Sequence, residues 1–240
     1  MATLRGILAD RLRSAFRSGP NGILAKTLFD RRPEWGDTLA LKTASIVKRI
    51  ALDNDDELPE ALSHDLAVVR RFRDDGETRF VTTLAEIRRQ LGLDHNAPSD
   101  FASSERPTPS DFLRSGIVRS LGAHALTMNC AAELRLRVST DEIARRAAIL
   151  EPHIPTALAV FESVIAKVVS AGAAPHNHSN SYWDFQLALF AAESMRVEGR
   201  PVIVVTEDKP VRRAALDTGA SDRVLDLNGY REFLHKRLPA

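Results

Sequence analysis

Apolar side chains recur at the interval of a helical turn along most of this chain, which predicts a largely helical first half. Leu4, Leu8, Leu12 and Phe16 mark a short basic amphipathic helix over 4–17, broken by Gly19, Pro20, Asn21 and Gly22. Asp37 is placed to cap a helix over 38–52, whose apolar positions are Leu41, Ile46, Val47 and Ile50. A solvated acidic loop, 53–57, leads to a helix over 58–73 with Leu62, Leu66, Val69 and Phe72 inward. Gly76 predicts a turn, 78–81 a short extended piece, and 83–91 a helix closed by Gly92.

Density of Pro and Ser over 94–110 then reads as a linker or long surface loop. Beyond it the pattern changes. Ser110 caps a helix over 111–120, 123–128 is expected as a strand, and a helix begins near Asn129. Ser139 or Thr140 caps a helix over 141–150, and Pro155 opens one that runs to Ala171 before Gly172. A loop over 173–180 precedes a helix over 182–197, apolar on nearly every side. The β-branched run 202–205 predicts a strand covered on both faces. A helix over 211–216 ended by Gly219, a strand over 223–227 and a helix over 230–237 complete the chain. Strands alternating with helices imply an α/β core with a parallel sheet over 111–240, behind a helical N-terminal module over 1–93.

Composition narrows the function classes. A net charge of +1, from 33 basic and 32 acidic side chains, gives no global attraction to nucleic acid or membrane, so such binding would need a local basic patch. The single cysteine, Cys130, excludes an intrachain disulfide framework, fits a reducing compartment and is expected to be small and buried. The N-terminus lacks the long apolar segment of a signal peptide, and no stretch approaches the roughly 18 apolar residues of a membrane span. The expectation is a soluble, cytoplasmic protein without a membrane partner.

Candidate chemistry gathers around the strand at 202–205. Ligands of open parallel sheets bind beyond the carboxyl ends of the strands, where Thr206, Glu207 and Asp208 stand. A carboxylate there can hold a hard divalent cation through oxygen, or it can simply cap the following helix. Asp184 follows Ser181 at capping-box spacing, and its neighbours Trp183, Phe185, Leu187 and Phe190 leave little polar surface. Glu162 falls just outside the broad apolar arc of the 155–171 helix. Arg212 and Arg213 are placed to meet a phosphate backbone near Asp208, or to solvate a helix face. His176 and His178 read as surface residues of a loop, and there is no P-loop or dinucleotide glycine motif.

The segments 183–192, 202–208 and 214–215 resemble the C-terminal half of a PIN domain, a family that pairs an acid early in a helix with a later strand ending in Thr-x-Asp. The segment 154–162 resembles that family's glutamate-bearing helix and 125–132 its opening strand, over a resemblance spanning about residues 120–240. It implies a three-layer α/β/α sandwich and an endoribonuclease dependent on Mg²⁺ or Mn²⁺. Asp184, Asp208 and Glu162 would be the metal ligands, with Thr206 and residue 129 completing the catalytic set. RNA would be the substrate, and many members are toxins partnered by an antitoxin protein. Two departures stand out. Asn129 occupies the place of the family's first aspartate, and the interval from Glu162 to Asp184 is short by a strand–helix unit. They leave open a catalytically inactive PIN-like protein that binds nucleic acid or a partner chain. Separately, 83–93 resembles the first half of a helix-turn-helix. The N-terminal helices are therefore read either as a DNA-binding regulator or as a packing or homodimerisation module.

Overall fold

A computed structural model describes residues 20–31, 60–91, 108–170, 175–178, 180–193, 195–197 and 199–236. The helices expected over 4–17 and 38–52, the acidic loop 53–57, Gly92 and residues 94–107 of the linker lie outside the described residues. The chain divides into two compact units, 1–76 with 129–137 and 77–128 with 138–240. Helices dominate, joined by a small parallel sheet of two strands and a short antiparallel pair.

In the first unit, α1 (Pro20–Phe29) starts where the sequence suggested only a break. Pro20 sits at the first helical position, where its missing N–H costs nothing, and Leu24, Ala25 and Leu28 are buried one turn apart. Helix α2 (Glu60–Gln90) crosses the unit boundary. It runs unbroken through Gly76 and through 78–81, where a turn and an extended piece were expected. The reason is helical spacing of the buried residues Phe80, Leu84, Ile87 and Leu91. The β-branched Thr82 and Thr83 join the helix by donating their hydroxyls to the carbonyls of Thr78 and Arg79. Residues 83–90 of the segment likened to a helix-turn-helix are thus the end of one long helix.

The second unit is built around α6 (Pro155–Ser170). Before it come α3 (Pro109–Arg114), α4 (Ile117–Glu133), α5 (Thr140–Leu150) and a 3-10 turn at Glu151–His153. Helix α4 replaces the expected strand over 123–128. Val118, Gly122, Ala123, Leu126, Thr127, Cys130 and Ala131 are buried at helical spacing, and Thr127 donates its hydroxyl to the Ala123 carbonyl. The alternation over 123–128 was too short to tell a strand from one helix face. Ser139 caps α5 as expected, accepting from the Glu142 N–H at 3.2 Å.

Helix α6 buries Ala157, Leu158, Val160, Phe161, Val164, Ile165, Val168 and Val169. It packs against α3, α7 (Ser181–Leu189) and α8 (Lys209–Asp217). Phe161 joins Phe80 and Phe185 at ring separations of 5.9 to 6.2 Å. Helix α7 ends at Leu189, well short of the expected 197, and exposes Trp183 and Leu187. A hairpin follows, with β1 (Arg196–Val197) against β2 (Arg200–Pro201) and a turn that uses the positive φ of Gly199. Strand β3 (Val204–Val205) then pairs in parallel with β4 (Val224–Leu225) across α8, and α9 (Leu227–His235) follows. The expected four-residue strand is shorter and covered on one side only: Val204 is buried while Val205 is 42% exposed.

Close packing of α4 on α6 supplies a test. A Cβ added at Gly122 would lie 2.9 Å from both Leu158 Cδ2 and Phe161 Cδ1. Both side chains are buried and have no free direction in which to move. Gly122→Ala is expected to lower the unfolding free energy by about 1–3 kcal/mol, despite the better helix propensity of alanine. Urea denaturation followed by circular dichroism measures it, and an unchanged or raised stability would contradict this packing.

Candidate functional site

The site lies at one end of α6, α7 and α8. Thr156, on the first turn of α6, and Thr218, just beyond α8, have their hydroxyl oxygens 2.8 Å apart. Thr218 already donates to the Ala214 carbonyl at 2.7 Å, so Thr156 donates within the pair. Contact at these ends, with packing along the helices, makes α6 and α8 antiparallel. At about 1.5 Å rise per residue, Lys167 stands about 16 Å along α6 and Asp208 about 15 Å back along α8. The last turn of α6 and the N-terminus of α8 thus lie about equally far along their helices from the Thr156–Thr218 contact. Helix α7 packs on both and carries Asp184 in its first turn.

Asp208 is held firmly. Its Oδ1 accepts from the Val211 N–H at 3.0 Å, capping α8, while its own N–H donates to Thr206 Oγ1 at 3.0 Å. Thr206 is fixed in turn by its N–H, which donates to the Leu225 carbonyl at 2.9 Å at the end of the parallel pair. Asp184 differs. Asn180, not Ser181, is the N-cap of α7, and no side-chain capping bond forms there. The half-buried Asp184 carboxylate has no hydrogen bond or ion pair with a described residue. Burial first, and then the Asp208 carboxylate, hold its carboxyl above the ordinary aspartate range, against the opposing pull of Lys167. The structure thus brings Asp184 and Asp208 within electrostatic reach of each other.

The remaining expected site residues are engaged elsewhere. Both carboxylate oxygens of Glu162 accept from Arg119 Nε at 3.1 Å, tying α6 to α4. Asn129 is an exposed residue near the end of α4 rather than one following a strand, and it belongs to the first unit. Arg212 donates to Asp226 Oδ2 at 2.7 Å and lies 3.6 Å from Glu207. It therefore braces α8 against the N-terminus of α9 instead of facing a phosphate. Arg213 pairs with Asp217 along its own helix at 2.9 Å. Glu207 accepts from the Leu227 N–H at 3.0 Å. Cys130 is buried as expected, and burial first, then Glu133, push its thiol up to about 12.

Two residues at this end had no strong sequence signal. Lys167 is the basic residue in the last turn of α6. His178, on the 3-10 turn Pro175–His178, is half-buried rather than a surface residue. Its Nε2 is buried without a hydrogen-bond partner among the described residues, and burial first, then Lys167, hold the imidazole below its ordinary value. Among the described residues no group of three or more His, Cys, Asp or Glu is arranged to hold a metal ion. Two carboxylates are nevertheless a sufficient protein contribution for a Mg²⁺-type site whose other positions go to water and phosphate. No single helix among the described residues is long and apolar enough to cross a membrane.

The raised Asp184 carboxyl has a pH consequence. Above the unfolded-state pKa the folded chain keeps a proton that the unfolded chain has released, so stability falls as pH rises through that interval. Asp184→Asn is expected to be more stable than the parent at pH 7, with the difference shrinking toward about pH 4. Denaturant unfolding at both pH values checks this, and a pH-independent difference would contradict it. Asp208→Ala is expected to cost about 1 kcal/mol through the lost cap, whereas Asp208→Asn keeps the cap. Comparison of the chain with protein-family models, curated proteins and solved structures finds no match.

Proposed function

We propose that this chain is a metal-dependent endoribonuclease of the PIN kind, with Asp184 and Asp208 as its central carboxylates. The observation that carries the reading is the Asp184 carboxylate, half-buried, without a partner among the described residues and beside a second carboxylate. Such a group raises the free energy of the folded state, and arrangements of that sort cluster at functional sites. The β3–α8–β4 unit, a two-stranded parallel pair with Asp208 after its first strand, supports this reading.

The donor set suits the cofactor. Both Asp184 oxygens and the Asp208 oxygen not used in capping are hard ligands of the type Mg²⁺ and Mn²⁺ prefer. A bound cation would lower the pKa of a water and offset charge growing on a phosphodiester. The chain's own contribution is positional. The helix cap and the Thr206 contact hold Asp208 in one orientation, and the packed first turn of α7 holds Asp184 opposite. RNA as substrate, and an antitoxin as partner, belong to the same proposal. A second reading, a non-catalytic protein that binds RNA or a partner chain, is favoured by the commitment of Glu162 to Arg119.

Adding Mn²⁺ at about a hundred times its dissociation constant is expected to raise the unfolding free energy by about 2.7 kcal/mol. It should also support cleavage of a single-stranded RNA. Asp184→Asn and Asp208→Asn should lose both responses while remaining folded. If the parent chain shows neither response but binds RNA equally well in EDTA, the nuclease reading is wrong and the binding reading holds.

A further inference from the structure

Acidic partners neutralise Arg119, Arg212 and Arg213, each in an ion pair of 3.1 Å or less. Lys167 is not neutralised in this way. It makes no ion pair or hydrogen bond with a described residue, although it stands on the last turn of α6. It is also near enough to Asp184 and His178 for both to feel its charge. The Thr156–Thr218 bond joins the start of α6 to the end of α8 and the two helices pack together, which directs the last turn of α6, with Lys167, toward the N-terminal end of α8. Like Lys209, which follows Asp208 in the chain, Lys167 has no ion pair among the described residues, and it is the one of the two that α6 contributes.

A site made of two adjacent carboxylates repels phosphate unless positive charge stands beside them. Lysine suits that task because its flexible stem carries a compact point charge with three donors. Arginines Arg212 and Arg213, the obvious candidates from sequence, are already consumed by internal pairs.

We propose that Lys167 is a phosphate-contacting residue of this site, setting its ammonium on a nonbridging oxygen of a single-stranded RNA phosphodiester bound at the Asp184–Asp208 end of the helices. The proposal rests on the reading of the aspartate pair as an RNA-cleaving site and adds the residue that holds the substrate. Its chemistry concerns the sugar–phosphate chain and not the bases, so the contact carries no sequence preference.

The test uses the full chain and a fluorescein-labelled single-stranded oligoribonucleotide in Ca²⁺, with binding read by anisotropy across a salt series. Lys167→Ala is expected to weaken binding about tenfold and to lower the slope of log affinity against log salt by about 0.7. Lys167→Arg should retain most of the affinity, and Lys236→Ala, at the C-cap of α9, should leave both quantities near the parent values. Unchanged affinity and slope in Lys167→Ala overturn the proposal, whatever the aspartate variants do. Mn²⁺-dependent cleavage that is lost in Asp184→Asn, with binding insensitive to Lys167, would leave the nuclease reading standing without this contact. A parent chain that does not cleave but binds RNA through Lys167 would do the reverse.

Discussion

Helix α6 is buried on several sides at once, and a helix of that kind requires a neighbour on each of them. Gly122 allows α4 to approach closely, the ring of Phe161 meets Phe80 and Phe185, and α8 lies along its length. The hydroxyl pair Thr156–Thr218 fixes the register of α6 against α8 with a bond between groups that burial would otherwise leave costly. From that register comes the meeting of the last turn of α6 with the first turns of α7 and α8. The candidate site is thus a product of core packing, and its residues sit on rigid elements rather than on a long loop.

Electrostatics at that end is uneven in an informative way. Most charged groups around it are satisfied: Glu162 by Arg119, Arg212 by Asp226, Arg213 by Asp217. These pairs brace helices against one another or along their own length, and partly exposed pairs of this type contribute little stability individually. Asp184 stands apart because it is half-buried, lacks a partner among the described residues and feels the charge of another carboxylate, Asp208. Folding tolerates the arrangement because α7 is held by the burial of Phe185, Ala188 and Leu189. A divalent cation would turn that unfavourable pair into a ligand set, with Lys167 meeting the anionic substrate beside it.

Asp208 was legible in the sequence because a capping residue ahead of Lys-Pro is a local signal, and β3, α8 and β4 follow from the same short stretch. The burial of α6 was readable from its apolar arc. Helix α4 was not, since Gly122 and the small residues around it have weak helical preference and only packing on α6 decides their conformation. The length of α2 was hidden by Gly76, a local breaker overridden by the buried row that follows it. Lys167 lies far from Asp184 and Asp208 in sequence, so its place in the cluster depends on how α6, α7 and α8 pack. Glu162 and Arg212 carry plausible chemistry in sequence, but tertiary partners absorb it.

The central claim is that Asp184 and Asp208 share one electrostatic environment. A double-mutant cycle with Asp184→Asn, Asp208→Asn and both together, read as unfolding free energy at pH 7 and low salt without divalent cations, tests it directly. Relief of one repulsion should leave less for the second substitution to relieve, so the two effects should fall short of additivity by a few tenths of a kcal/mol, a gap that shrinks with added salt. Additive effects, unchanged by salt, would mean that the two carboxylates do not interact and would contradict the account.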